Sequence, residues 1–156
     1  MTASSAFIPE EWEVLSAGIL QPALAVSLAE RGGTLVEMLA LYDTLTGELK
    51  ANAGNPLIAA LLNYVVSRKA ADVLKAYDEI DFETLLAMAL RTLASALALL
   101  RQKAQPDEVV IYGNVVRTVS QHVASAHDER DVISGSTVSA SEQSVLDKVN
   151  AILNTR

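Results

Sequence analysis

The chain has 156 residues, carries a formal net charge of −7 and contains no cysteine. Its length fits one domain, residues 1–156, able to bury about 68–70% of the surface its unfolded chain exposes. The charge repels phosphate backbones and anionic headgroups, so neither nucleic acid nor membrane is an expected partner, and the missing thiols exclude disulfides, thiolate nucleophiles and cysteine-based zinc sites.

Apolar residues make up 51% of the chain and aromatics only 4%, so the apolar content is mostly Ala, Leu and Val. Such side chains suit closely packed helices and give few platforms for stacking bases or flat cofactors. The first residues, MTASSAFIPEEWEVL, have no basic region and do not read as a secretory signal. Together with the absence of cysteine, this fits a cytoplasmic protein.

Pro9 stands where a first-turn proline is tolerated, and Glu10, Glu11 and Glu13 follow where the positive helix end favours acids. A short opening helix with Trp12 and Leu15 inward is expected. Ile19, Leu20, Ala23, Leu24 and Val26 continue a helical stripe, in which Pro22 requires a helix start close by. Gly32-Gly33 ends it. Thr34 and Glu37 then make a capping box for a helix with Leu35, Met38, Leu39, Tyr42, Leu45 and Leu49 inward.

In ANAGNPLIAALL, Gly54 reads as a left-handed C-cap and Pro56 as the first residue of the next helix. A Walker loop would need more glycines and a Lys-Ser/Thr pair where Leu57 and Ile58 stand, so the segment is a corner. Leu57, Ile58, Leu61, Leu62, Val65 and Val66 form the following stripe, which Ala70, Val73, Leu74 and Tyr77 extend after a break. Asp81 with Thr84 opens a further helix that is apolar on almost every side over 85–100. It is expected at the bundle centre or an interface, being shorter than the ~20 apolar residues of a membrane span and interrupted by Arg91.

Pro106, Asp107 and Glu108 start the next helix. Val109, Tyr112, Val116, Val119, Val123 and Ala126 recur there in steps of three and four, and Gly113 costs about 1 kcal/mol relative to alanine. Periodicity is lost over 129–138, which reads as a flexible linker. Ser139 and Glu142 then cap a docking helix over 139–154, with Val145, Leu146, Val149, Ile152 and Leu153 on its apolar face.

Residues able to carry chemistry are sparse, and no nucleophile elbow occurs. His122 and His127 diverge by about 140° around their helix, so they do not share a metal on one face. His127 and Asp131 have i, i+4 spacing, but where that helix ends. Both histidines read as solvated groups near a negative helix end. Glu30, Glu37, Asp43 and Glu48 bracket the Gly32-Gly33 turn, where oxygen ligands from two helix ends can hold a hard cation such as Ca²⁺ or Mg²⁺. Arg91, alone in its apolar helix, calls for an acidic partner among Glu37, Asp43 and Asp72, for an extended side chain reaching solvent, or for a role as an anion-binding residue in a pocket.

PEEWEVLSAGIL, GNPLIAALL and VSASEQSVLDKVNAIL resemble a group of uncharacterised bacterial helical proteins, themselves distantly similar to the TerB-like, tellurite-resistance-associated helical domain. The resemblance runs over most of the chain and rests on helix caps and apolar stripes. It implies an all-helical, stress-related bacterial protein, with a divalent cation held by acidic residues beside a helix–helix turn. The matching turn, AERGGTLVE, offers Glu30 and Glu37 and holds no aspartate within the loop.

The expectation is therefore an all-α, single-domain bundle of five to seven helices with a central hydrophobic helix. It should act without catalysis, through self-association as a homodimer or with another protein. The alternative is a TerB-like metal-binding protein using Glu30 and Glu37. No cofactor beyond that divalent cation is expected.

Overall fold

The computed structural model describes residues 6–31, 35–128 and 140–155. They form seven α-helices: α1 (Pro9–Arg31), α2 (Leu35–Ala51), α3 (Pro56–Val66), α4 (Ala70–Leu74), α5 (Phe82–Lys103), α6 (Pro106–Asp128) and α7 (Ala140–Leu153). A 3-10 turn, Lys75–Tyr77, continues α4. No strand occurs among the described residues, and the chain is the all-α bundle its periodicity predicts.

The helix at the centre is α1. It packs on α2, α3, α5, α6 and α7, most extensively on α5. Residues 18–27 are buried without interruption, so this half of the helix is enclosed on every side. The chain does not start a second helix near Pro22, as expected from the sequence; α1 runs through it. Pro22 has no N–H for the Gly18 carbonyl one turn back, a loss of about 3 kcal/mol in an interior turn. Leu15, Ile19, Leu20, Leu24 and Val26 are all essentially inaccessible. At about 1.5–3 kcal/mol each, these burials outweigh the proline.

Gly18 makes the enclosure possible. A Cβ there would fall on the Tyr112 hydroxyl and within 3.0 Å of the Ala96 Cβ. The bare glycine lets α5 and α6 close on α1, and Tyr112, fully buried, donates its O–H to the Leu15 carbonyl at 2.7 Å. Burial disfavours the phenolate and pushes the Tyr112 pKa far up, so this O–H stays a donor.

The start of α1 is clamped to the end of α5. Phe7 and Trp12 are buried with ring centroids 4.9 Å apart. Lys103 lies 5.7 Å from the centre of the Phe7 ring and donates to the Ala6 carbonyl at 3.1 Å and to Glu11 Oε1 at 2.8 Å. The Lys103 hydrogen bond, with a second from the Ile8 N–H, lowers the Glu11 pKa.

In α2, Met38, Leu41, Tyr42, Leu45 and Leu49 face the core, whereas Leu39 is exposed. The inward stripe therefore takes Leu41 where Leu39 was expected. Tyr42 donates to the Val65 carbonyl at 3.2 Å and ties α2 to α3. Thr34, the expected cap of α2, lies outside the described residues, as does Ser139 before α7.

The corner at residues 52–56 is made by asparagine. Gly54 does not adopt a left-handed conformation and stands in open space. Asn52, Ala53 and Asn55 instead close successive three-residue turns onto Leu49, Lys50 and Asn52. Asn55 caps α3, its Oδ1 accepting from Leu57 N at 2.9 Å and Ile58 N at 3.3 Å. Those N–H groups are the ones a phosphate would need, so the corner reading stands on geometry.

Asp81 caps α5 as expected. Its two carboxylate oxygens accept from the Thr84 N–H at 2.8 Å and hydroxyl at 2.9 Å, which lowers the Asp81 pKa. The helix is not enclosed, however. Leu85, Leu86, Ala89, Leu93, Ala96, Leu97 and Leu100 are buried, while Ala87, Arg91, Ala94, Ser95 and Ala98 are exposed. Alanine accounts for the difference: it counts as apolar in the pattern, yet its small methyl tolerates water without penalty.

Candidate functional site

Two surfaces combine local chemistry with shape. The first is the seam where α7 lies along α6. Pro106 is the first residue of α6, and the Gln105 N–H donates to Glu108 Oε1 at 3.1 Å, so Glu108 reaches back to the backbone before the helix. The inward face of α6 is wider than the expected seam: Tyr112, Val115, Val116, Val119, Val123 and Ala124 are buried, with Val109 partly so. Ala126 lies outside the described side chains. Packing against α7 does not require a glycine at 113, since a Cβ there would meet Leu153 Cδ2 at 3.6 Å, an ordinary contact. From α7, Val145, Leu146 and Val149 enter the core and Ile152 and Leu153 are half-buried, so this helix docks on its own chain.

Arg117 bridges the seam. Its Nε donates to Asn150 Oδ1, its Nη1 to Asn114 Oδ1 and its Nη2 to Asn154 Oδ1, each at 3.1 Å. Asn150 on α7 and Asn154 just beyond its end, four residues apart, present their amide oxygens to this guanidinium. On one side of Arg117 a groove of about 370 Å³ is lined by Thr118, Ser120, Gln121, His122, Leu146, Val149 and Asn150. On the other side a second groove of about 380 Å³ runs past Leu97, Arg101, Val110 and Leu153. Arg101 donates to the Thr155 carbonyl and fixes the end of α7. Among the described residues the ion pairs are Arg68–Glu13 and Lys103–Glu11, so neither seam arginine meets a carboxylate.

The second surface is the outward face of α5. Among the described residues two helices are long and apolar enough to cross a membrane, Pro9–Ala29 within α1 and Phe82–Lys103. The α1 stretch is 67% buried inside the bundle, against 39% for α5. The residues α5 turns outward include Thr84, Ala87, Arg91, Ala94, Ala98 and Arg101, all exposed and spaced three and four apart.

Glu30 and Glu37, the expected cation ligands, lie outside the residues whose side chains are described, as do His127 and Asp131. Asp43 is exposed, and half-buried Glu48 accepts from the Asn52 side chain at 3.2 Å. Among the described residues no group of three or more histidines and carboxylates gathers as a metal site would. His122 is exposed on the rim of the α6–α7 groove. Arg91 is exposed and has no ion-pair partner among the described residues. Its solvent-facing position removes the need for the buried partner that the apolar pattern suggested.

Arg117, Ser120, Asn150 and Asn154 do not stand out as site residues in the sequence. The asparagines at 150 and 154 carried a signal, two amides four residues apart beside an apolar stripe, but nothing in the pattern pairs α7 with α6. No family model, curated protein or solved structure matches the chain.

Proposed function

We propose that the protein is a non-catalytic helical bundle that acts by self-association, with the outward face of α5 as its contact between copies. The supporting observation is the incomplete burial of α5, which is at least as apolar as the enclosed α1. Its exposed seam is complementary to itself when two copies meet antiparallel. Ala87 then faces Ala98 of the second copy and Ala94 faces Arg91, so small residues let the helix axes approach closely. The ends agree in charge, because Asp81 and Glu83 open α5 while Arg101 and Lys103 close it. Antiparallel pairing sets the acidic start of each helix beside the basic end of the other.

Sedimentation equilibrium tests this reading. Wild type should be a dimer at micromolar concentration. Ala94→Arg sets a bulky cation against Arg91 of the second copy and should yield a folded monomer, while Gln143→Arg on α7 should leave the dimer intact. A monomeric wild type would overturn the proposal. So would flotation of wild type with phosphatidylcholine vesicles, which would assign the face to lipid.

A further inference from the structure

We propose that the groove between α6 and α7 is a binding site for a small organic carboxylate, with Arg117 as the anion receptor and Leu146 and Val149 beneath the aliphatic part. The site is independent of any contact between copies through α5.

Arg117 is the first ground. A guanidinium carries five N–H donors and no acceptor, so the atoms of Asn114, Asn150 and Asn154 that face it are amide oxygens. Three donors are used, leaving one N–H on Nη1 and one on Nη2. Both lie in the plane of the guanidinium, the geometry in which arginine receives a carboxylate. All three acceptors are neutral, so the positive charge of this half-buried arginine is held in place but not balanced. In a chain of net charge −7, a cation with no ion-pair partner among the described residues is a local attractor for an external anion. The amino group of Asn150, turned away from Arg117 by the same geometry, adds a donor to the groove wall.

Ser120 is the second, independent ground. It is fully buried, lines the groove, and its Oγ has no hydrogen-bond partner among the described residues. A buried hydroxyl without a partner costs free energy that a ligand oxygen can recover.

The groove itself decides the ligand class. Its volume of about 370 Å³ lies in the small-molecule range. Its wall joins donors, Arg117, Gln121 and Asn150, to apolar Leu146 and Val149. Inorganic phosphate would leave that apolar wall uncovered and would bring more charge than one guanidinium balances. A monocarboxylate with a short alkyl chain satisfies both parts.

The test is a titration of isotope-labelled wild-type protein with hexanoate, hexanol and inorganic phosphate, following the Asn150 amide and the Leu146 and Val149 methyls by NMR. Hexanoate should produce saturable shifts at these positions, and hexanol should bind at least about tenfold more weakly because it lacks the charge. Arg117→Lys, which keeps the charge but not the fork, should weaken hexanoate about tenfold. If that variant fails to fold, the three wild-type titrations still decide. Equal binding of hexanoate and hexanol, phosphate binding as tightly as hexanoate, or no shift with any of the three would overturn the assignment.

Discussion

Helices α1 and α5 have similar length and apolarity and opposite fates. α1 is enclosed by five neighbours, although it contains a proline, a glycine and a buried glutamine at its middle. α5 has none of these interruptions and yet leaves one face to solvent. The position of small and polar residues decides between them. In α1, Gly18 removes bulk at the point where two helices converge, and Gln21 finds the Tyr77 hydroxyl at 2.9 Å. In α5, Ala89 and Ala96 lie in the core, whereas Ala87, Ala94 and Ala98 line an outward stripe that none of the described residues covers. Overall apolarity therefore does not predict which helix is central; the sites of close approach do.

The largest effect should come from filling the space that encloses α1. Gly18→Ala gains up to about 1 kcal/mol of helix propensity but drives a methyl into Tyr112 and Ala96. Overpacking of this kind costs about 1–3 kcal/mol, so a net loss is expected in urea melts. Tyr112→Phe should follow, at about 1 kcal/mol for the bond to the Leu15 carbonyl. The double variant sharpens the comparison: without the hydroxyl the new methyl loses its closest clash and keeps only the Ala96 contact, so the combined loss should be less than the sum of the two single losses.

Acid should release the clamp between α1 and α5 next. Glu11 has a lowered folded-state pKa, so it contributes stability above the ordinary glutamate value of 4.5, and that contribution is lost as pH falls through the folded value. Trp12, the sole tryptophan, adjoins this clamp and reports it by fluorescence. Its emission should change with acidification in wild type, and Glu11→Gln should remove that transition. The smallest effect belongs to the open face of α5, where Ala94→Arg should shift monomer stability by no more than about 0.5 kcal/mol.

Much of the bundle was legible in the sequence because caps and stripes are local. Asp81, Pro106 and the Leu57, Ile58, Leu61, Val65 stripe lie where the pattern placed them. Pro22 misled because its cost is local and its compensation is tertiary, supplied by helices distant in sequence. Gly54 misled because three-residue turns and the Asn55 cap accomplish what a left-handed glycine would. Arg91 misled because alanines around it counted as apolar while facing water. The seam at Arg117 was out of reach for a different reason. Its partners lie 33 and 37 residues away, and no periodicity within either helix encodes that pairing.

The most direct measurement of the α5 account exploits the cysteine-free chain. A single thiol is introduced by Ala94→Cys, or by Gln143→Cys on α7, and each protein is treated with a short bis-maleimide at low concentration. The account predicts rapid covalent dimers from position 94 and monomers from position 143. Monomers from both, or equal dimer yields from both, would contradict it.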